Sequence, residues 1–360
     1  MSHAVSRRIP ALQGVLSSSD VAATARSIAA VQEPDGAVPW TAGGHTDVWN
    51  HVEAAMALLV GGEPVAAGRA YDWCLATQRE DGSWPMRTVA GVVEDPSAET
   101  NMCAYLAVGV WHHWLVRREE AFVRRCWGAV RRGLDLVVSL QLPFGGIAWA
   151  RDPAGSVQPD ALVAGSSSIF HALTAGVALS GLVGEAHPEW ELAAGRLGHA
   201  LREHRDLFLD KSQFSMDWYY PVLGGAVRGD SGRELLAGRW DDFVVPGLGI
   251  LCVDTNPWVT GAETCELALA LDAVGDRDRA VRLLRDVQHL RAGDGGYWTG
   301  YVYPDDANWP VERTTYTAAA VVLAVDALSR TTAGSDLFRV DAQRFPEVGL
   351  ECGCEAALVP

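Results

Sequence analysis

The sequence predicts an all-α protein whose helices pair and close into an (α/α)6 toroid of alternating outer and inner helices. Two observations lead to this prediction. A short motif of Gln, Gly and Trp recurs at helix ends, and amphipathic helical segments alternate with apolar ones. Internal repeats of this kind determine the architecture, because each helix pair stacks on the next and the stack either stays open or closes. In a closed ring, both ends of the chain meet at one seam.

The motif is clearest where a helical segment ends at Gln78 and is followed by Gly82 and Trp84. The other copies are Gln32 with Gly36 and Trp40, Gln141 with Gly145 and Trp149, Gln288 with Gly295 and Trp298, and a glycine-free pair, Gln213 with Trp218. Gln at a helix end can bond the free carbonyls of the last turn. Gly supplies the positive-φ turn that ends the helix, and Trp can clamp one helix end against the next.

The helical segments are of two kinds. The amphipathic segments, predicted to form the outer wall, are 18–31, 64–77, 120–140, 188–207 and 276–290. The apolar segments, predicted to form the inner wall, are 47–60, 99–111, 166–182, 260–274 and 314–328. A sixth pair is predicted at 216–225 (inner) and 233–240 (outer). No convincing run of strands is found; the only candidate, 247–253, is short and isolated.

A single domain is expected over residues 1–360, with a core at about 18–330 and a tail at 333–360 that partly covers the ring. The formal net charge of −16 argues against a nucleic-acid partner. Seven scattered cysteines and the absence of a signal-peptide pattern indicate a reduced, cytoplasmic protein. The uncharged segment 161–184 could span a bilayer by length, but its charged neighbours favour a buried core helix.

In such a ring the inner helices begin at the same end as the Gln–Trp loops, which we call the mouth. A cavity opening there is the expected ligand site. Acidic residues at helix starts often serve only as caps, but acids among aromatic rings can also hold a proton for catalysis. We therefore predict Asp47, Asp217 and Glu263 as catalytic residues. The predicted substrate-binding residues are Trp49, Glu99, Asn101, Trp218, Tyr219, Tyr220, Trp258, Trp298, Glu312 and Tyr316.

The segment from Gly68 to Trp84 resembles the QW motif of squalene–hopene cyclases, in the superfamily of terpenoid cyclases and protein prenyltransferases. That resemblance implies an α/α toroid over most of the chain. The cyclase motif Asp-x-Asp-Asp is absent, and Ala262 stands where the proton-donating Asp belongs. Glu263 and Cys265 imitate part of the prenyltransferase zinc set, but Tyr316 replaces its His. No metal and no cofactor are therefore predicted.

The resemblance implies a terpenoid cyclase-like isomerase or lyase, in which a carboxylic acid protonates an apolar, isoprenoid-like substrate and aromatic rings stabilise the cation. Peripheral contact with a membrane would suit such a substrate. One alternative is a carbohydrate-active (α/α)6 enzyme using paired carboxylates, such as Asp47 with Asp217 or Glu99 with Glu263. Another is a non-catalytic binding toroid. A closed apolar chamber would favour the first interpretation, and an open acidic groove would favour the second.

Overall fold

The computed structural model describes residues 8–339 and 345–346. In chain order the helices are α1 Ser18–Ala30, α2 Val48–Val60, α3 Pro64–Thr77, α4 Thr100–Ala104, α5 Leu106–Arg117, α6 Glu120–Ser139, α7 Val163–Val183, α8 Pro188–Glu203, α9 Ser215–Leu223, α10 Gly229–Gly238, α11 Trp240–Phe243, α12 Gly261–Ala273, α13 Arg277–Asp286 and α14 Thr315–Ser329. The strands are β1 His45–Thr46, β2 Arg87–Val89, β3 Val92–Asp95, β4 Ala98–Glu99, β5 Ala150–Arg151, β6 Val244–Val245, β7 Gly249–Leu251, β8 Trp258–Thr260, β9 Gly300–Val302 and β10 Ala307–Asn308.

The helices form a closed double ring, which confirms the predicted fold class. The inner helices follow one another in the order α2, α5, α7, α9, α12 and α14, and α14 packs against α2. The short helix α4 precedes α5 at the mouth. The outer helices α1, α3, α6, α8, α10 and α13 each pack against the inner wall. The sixth pair, predicted at 216–225 and 233–240, corresponds to α9 and α10.

In three copies of the motif the Gln bonds outward, whereas Gln288 donates to the Leu284 carbonyl of its own helix at 2.7 Å. Gln78 donates from Nε2 to the Gly82 carbonyl at 3.0 Å and to the Ala129 carbonyl of α6 at 2.9 Å. Gln32 bonds Gly36 and Ala66 at 2.9 Å each, and Gln141 bonds Gly145 and Ala193 at 2.9 Å each. Each of these three residues therefore ties its own loop to the next outer helix.

The motif glycine packs directly against the neighbouring outer helix. A Cβ on Gly82, which has φ of 88°, would lie 2.2 Å from the Arg132 carbonyl oxygen. Gly295 makes the same kind of contact with Ala23 of α1, at 2.8 Å from its carbonyl carbon. Because α1 is the first helix and Gly295 belongs to the last copy of the motif, this contact lies at the seam of the ring.

Short antiparallel strands lie in the loops at the mouth, and the expectation of no convincing strands was wrong. β6 to β10 form a five-stranded sheet in the order β10-β9-β8-β7-β6, and its strand β7 falls within the segment regarded as isolated. β1, β2 and β3 form a second sheet, and β4 pairs with β5. Strands β1, β4 and β8 lead almost directly into the inner helices α2, α4 and α12, so the sheets fix where those helices begin.

Helix α7 lies in the inner wall, as predicted for the uncharged segment. Within the described residues it is the one helix long and apolar enough to cross a membrane, and 67% of its most apolar stretch is buried inside the protein. At the opposite end from the mouth, the first part of the predicted tail packs against α5 and α14, and Phe338 lines the small cavity inside the ring. Most of that tail, 340–344 and 347–360, lies outside the described residues.

Candidate active site

Two acids at the mouth are held by the helices they begin. Asp47 is the N-cap of α2, and its carboxylate accepts hydrogen bonds from the Asn50 backbone N–H at 2.9 Å and from Asn50 Nδ2 at 2.6 Å. Glu99 is the N-cap of α4 and accepts from the Met102 N–H at 2.6 Å. The capping role that the sequence left open is therefore real for both. Because a cap is hydrogen-bonded to the backbone of its helix, the positions of both carboxyls are fixed.

Asp47 and Glu99 interact electrostatically, because α2 and α4 are neighbours in the ring. Burial, with a smaller contribution from the nearby charge of Asp47, raises the pKa of Glu99 to about 7 against the opposing effect of the backbone N–H groups of Met102 and Asn101. Burial also raises the pKa of Asp47 above its usual value, although the hydrogen bonds from Asn50 oppose that shift. A carboxyl that keeps its proton near neutral pH has the property that a general acid requires.

Glu263 faces this pair from across the mouth. It lies in the first turn of α12, three places round the ring from α5, and its side chain is half-buried. Its charge raises the pKa of two neighbouring phenols, Tyr219 and Tyr316, which burial raises first. The structure thus places Asp47, Glu99 and Glu263 at helix starts around the same mouth, with Asp47 and Glu99 close to each other and Glu263 on a helix farther round the ring.

Asp217 lies in a different recess. Its Oδ1 accepts a hydrogen bond from the Ala164 N–H at 3.2 Å, so it caps the start of α7. Burial raises the pKa of Asp217 to about 6. The recess beside it has a volume of about 400 Å³ and is lined by the 205–212 segment and Arg239. A role for Asp217 in catalysis stays a prediction.

Trp49 forms the floor of the opening. Its side chain extends from α2 into the lumen and donates its Nε1–H to Ser168 Oγ of α7 at 3.2 Å, so the ring spans the distance between these two inner helices. The rings of Tyr105 and Tyr316 lie 4.7 and 5.5 Å from it, centroid to centroid. Trp40 lies 5.6 Å from Tyr316. Aromatic faces at the base of a polar opening are the kind of surface on which a sugar ring stacks.

Below Trp49 the lumen is filled by two buried acids that the sequence analysis did not propose. Glu266 of α12 accepts hydrogen bonds from the hydroxyls of Tyr219, Tyr220 at 2.8 Å and Tyr316 at 2.7 Å. Glu53 of α2 accepts one from Tyr105. Burial raises the pKa of Glu266 to about 8 and that of Glu53 to about 7. Glu53 is the one acid within α2, which was an available signal, whereas α12 carries Glu263 and Asp272 besides Glu266.

The volume of the lumen below Trp49 distinguishes the two cavities considered from the sequence, a closed apolar chamber and an open acidic groove. The space between Glu53 and Glu266 is a cavity of only about 10 Å³, roughly the room one water needs. The interior is therefore a network of carboxyls and phenols, without an apolar chamber of substrate size among the described residues. The acids nearest the surface are those at the helix starts of the mouth, where Glu99 and Glu263 are partly exposed and Asp47 is buried.

Asn101 supplies an additional polar group at this opening. Its Oδ1 is buried and has no hydrogen-bond partner within the described chain. Gly165 lies opposite; a Cβ there would stand 3.7 Å from Asn101 Cβ and 3.8 Å from Glu99 Oε1. Buried polar atoms are normally hydrogen-bonded, so this amide oxygen is suited to accept a hydrogen bond from a ligand hydroxyl.

The remaining predicted binding residues are spread over the site and its surroundings. Trp218 packs outward, donating to the Leu235 carbonyl of α10 at 2.9 Å. Glu312 accepts the Trp40 Nε1–H at 2.9 Å. Trp258 donates to the Trp309 carbonyl on the rim at 2.7 Å. The Arg313 guanidinium covers the Trp298 ring at 5.8 Å. Their roles in binding stay predictions.

The comparisons with known proteins complete this description. No family model matches the chain. The chain is 54% identical over 347 residues to the MMP endo-(1,4)-3-O-methyl-alpha-D-mannosidase of Mycolicibacterium hassiacum, and the match covers 96% of each protein. The chain belongs to the family of this mannosidase. It is therefore a carbohydrate-active enzyme, which was the alternative interpretation of the sequence.

Solved structures with this fold include other sugar enzymes. A wild-type glycosidase has a TM-score of 0.69 at 16% identity, covering 87% of this chain and 98% of that one. A D-mannose isomerase has a TM-score of 0.65 at 10% identity, covering 85% and 96%. A cellobiose 2-epimerase from Spirochaeta thermophila has a TM-score of 0.62 at 12% identity, covering 87% and 96%. At these identities the similarity concerns the toroid fold alone.

The assignment to the terpenoid cyclases and protein prenyltransferases was wrong, as were the isoprenoid substrate and the cyclase-like isomerase or lyase activity inferred from it. The 54% identity to a mannosidase overturns them, and peripheral membrane contact loses its basis with the substrate. The physical reason lies in the motif itself. Its Gln donates hydrogen bonds to the next outer helix and its Gly packs closely against that helix, so the motif indicates how the ring is packed and says nothing about the chemistry in its lumen.

Away from the mouth, the part of the chain that the structure describes holds one group of three side chains whose spacing could suit a metal ion. Asp135, His187 and Glu189, on α6 and around the start of α8, have ligand atoms within 4.8 Å of one another. Two of the three side chains are exposed, and exposed acids cluster often without a metal. The mouth offers carboxyls, amides and rings, which suit a sugar without any cofactor.

Proposed function

We propose that the protein is an endo-acting α-mannosidase that hydrolyses (1,4)-linked chains of 3-O-methylmannose. The observation that carries the proposal is the 54% identity, over 96% of both chains, to an endo-(1,4)-3-O-methyl-mannosidase. The geometry supports it independently. Carboxyls from neighbouring and opposite inner helices surround one opening, and glycoside hydrolysis commonly uses two such groups, one on each side of the scissile bond.

In the proposed mechanism Glu99 is the general acid. Its pKa of about 7 lets it hold a proton and deliver it to the bridging oxygen as the bond to the anomeric carbon breaks. Asp47 is a positioning group in this scheme: its charge raises the pKa of Glu99, and its cap fixes the start of α2. The leaving sugar departs as an alcohol carrying the proton from Glu99.

Glu263 acts from the opposite wall. Its carboxylate takes a proton from a water molecule whose oxygen bonds to the anomeric carbon, so one water is consumed for each bond broken. Asn101 Oδ1 accepts a hydrogen bond from a sugar hydroxyl, and Trp49 supports a sugar ring at the base. The anomer released first, measured by NMR, separates this single displacement from direct attack by Glu263 on the sugar.

The proposal is tested with purified protein and two chains of equal length, a (1,4)-α-mannan carrying 3-O-methyl groups and its unmethylated counterpart. We expect mass spectrometry to show internal cleavage of the methylated chain into shorter oligosaccharides. Release of single sugars from one end would contradict endo action. Epimerised sugars without chain shortening, or no change in either chain, would contradict the hydrolase assignment.

The roles of the two acids are separated by the leaving group. An aryl mannoside with an acidic phenol needs little help from a general acid, whereas a sugar leaving group does need it. Glu99→Gln should lower kcat on the mannan by ~10²–10⁴-fold and largely spare the aryl substrate. Glu263→Gln should lower both. If Glu99→Gln lowers both equally, Glu99 is not the acid.

A further inference from the structure

Exposed apolar side chains are concentrated at the mouth. Nine large apolar residues in the described chain are exposed, and eight of them lie in the strands and connections at this end, which we call the rim: Val92, Val93, Val157, Leu207, Leu209, Tyr303, Trp309 and Val311. The ninth, Val65, lies in the first turn of α3 at the opposite end of the ring. Single exposed apolar residues are ordinary, but a concentration around a binding site usually marks a surface that contacts a ligand or a partner.

The most developed part of this rim is the segment after β10. Trp309 is 53% exposed and Val311 83% exposed. The Trp309 ring is held by Trp258, whose own ring lies 4.8 Å away at 82°, and whose Nε1–H bonds the Trp309 carbonyl at 2.7 Å. The Trp309 N–H in turn bonds the Gly300 carbonyl at 3.0 Å. An exposed indole fixed in this way presents a rigid apolar face.

This face is continuous with the catalytic opening. Trp258 begins β8, which runs straight into α12, and Glu263 lies in the first turn of that helix. On the other side of the mouth, β3 carries Val92 and Val93 and joins, through β2, the strand β1 that precedes Asp47. The rim therefore flanks the acids on two sides, where sugar units beyond the cleaved bond would lie.

Three arginines in the rim loops are paired with acids. Arg87 pairs with Glu94 at 3.7 Å, Arg313 with Asp294 at 2.6 Å, and Arg239 with Asp254 at 2.8 Å. The whole chain carries a formal net charge of −16. An anionic membrane surface is consequently disfavoured, and a neutral ligand with apolar groups is favoured.

We propose that the apolar rim binds the O-methyl groups of sugar units flanking the cleaved bond, so that the enzyme binds methylated chains in preference to unmethylated ones. This inference rests on the proposed function and extends it to specificity. A 3-O-methyl group replaces the hydrogen of the 3-hydroxyl by a methyl, so the oxygen remains as an acceptor and the hydrogen-bond donor is lost. On an apolar surface that methyl loses contact with water favourably, whereas a free hydroxyl there would lose its hydrogen bonds to water.

The size of the effect follows from the number of methyl groups in contact. Each buried methyl is expected to contribute about fourfold in affinity. With two or more methyl groups on the rim, a methylated oligosaccharide should bind at least about ten times more tightly than its unmethylated counterpart. Removal of the rim should lower this ratio and should weaken the methylated ligand more than the unmethylated one.

Calorimetry tests this with both oligosaccharides at equal length, in the full-length Glu263→Gln background so that neither ligand is cleaved. Trp309→Ala and Val311→Ser are the rim variants. Val65→Ser is the matched control, because Val65 is 78% exposed at the far end of the ring. We expect both rim variants to lower the methylated-to-unmethylated ratio and Val65→Ser to leave it intact. Melting temperatures check that each variant is folded.

Three results would overturn the inference. The ratio stays the same in both rim variants; or the parent protein shows no preference for methylation; or the rim variants lose binding to phosphatidylcholine vesicles, or lose self-association, while keeping the glycan preference. The proposed function fails separately, when the wild-type protein shortens neither mannan. If the wild type cleaves the methylated chain and the rim variants keep the preference, only the rim inference is lost.

Discussion

The Glu99 carboxyl illustrates how one residue can serve structure and chemistry at the same time. It caps α4 through the Met102 N–H, and burial beside Asp47 gives it a pKa of about 7. If the protonated form is the active one, activity should fall as the pH rises through about 7. We expect kcat/KM on the methylated mannan to show this alkaline limb, and the residual activity of Glu99→Gln to lack it.

Asp47→Asn tests the source of that pKa. Because the negative charge of Asp47 raises the pKa of Glu99, its removal should lower that pKa and move the titration of Glu99 toward acidic pH. The measurement is a ¹³C NMR titration of the side-chain carboxyl, assigned by its loss in Glu99→Gln. An unchanged titration in Asp47→Asn would show that burial alone sets the value.

Glu266 gives a prediction about stability. Its pKa in the folded protein, about 8, lies above its ordinary value of 4.5. The folded state therefore binds the proton more tightly, and stability should fall as the pH rises from about 4.5 toward 8. Glu266→Gln mimics the protonated acid and can keep all three phenol contacts. We expect urea unfolding of this variant to show a smaller loss of stability between pH 5 and pH 8.

Glu266→Ala is the contrasting change. It leaves the hydroxyls of Tyr219, Tyr220 and Tyr316 without their shared acceptor in a buried site, so it should be destabilising at every pH, by several kcal/mol. A pH dependence in Glu266→Gln equal to that of the wild type would assign the effect elsewhere, with Glu53 as the first candidate because its pKa is raised to about 7.

At the scale of the elements, the close approach at Gly82 is a test of how the repeat works. Gly82→Ala places a Cβ 2.2 Å from the Arg132 carbonyl oxygen and keeps φ at 88°, so we expect a loss of about 3 kcal/mol. Gly91→Ala is the matched control, because Gly91 has φ of 75° with nothing within 4 Å. It should cost only about 1 kcal/mol. Chemical denaturation measures both, and similar losses would contradict the packing role.

The sequence predicted the helices well because each has its own periodicity and its own start signal. Strands were missed for a physical reason. β8 and β9 have three residues each and pair with one another across forty residues of chain, so neither strand carries a local turn signal. The position of Trp309 on the rim could not be predicted either, because its N–H bonds the carbonyl of Gly300 in β9.

At the scale of the whole molecule, the fold could be predicted from the sequence and the chemistry could not. The Gln–Trp motif is dictated by ring closure, so it predicted the toroid correctly and the chemistry wrongly. Asp47, Glu99 and Glu263 could be found because first turns of inner helices all face the mouth. Glu53 and Glu266 could not be selected as functional candidates from the sequence, since their hydrogen bonds come from tyrosines in other parts of the chain. That residues 1–360 form one domain stays a prediction, as does the cytoplasmic location.

Closure of the ring leads to a prediction for the seam. The Thr315 hydroxyl bonds the Pro39 carbonyl at 2.8 Å, joining chain segments 276 residues apart. In an open stack the terminal helices fray first, whereas a closed ring protects them like the others. We expect α1 and α14 to exchange amide hydrogens as slowly as α5, and Thr315→Val, at a cost of about 1 kcal/mol, to speed exchange in α1 and α14 together.

Thr100→Val is the matched control for the seam, because the Thr100 hydroxyl makes an equivalent bond to the Ala148 carbonyl at 2.8 Å within the ring. Its loss should speed exchange only around α4 and β5, since the seam stays intact. Hydrogen exchange followed by mass spectrometry distinguishes the two patterns. Fast exchange of α1 in the wild-type protein would mean that the first helix frays like the end of a solenoid. The mouth would then be held together from one side only, and Asp47 and Glu263 would not keep a fixed separation.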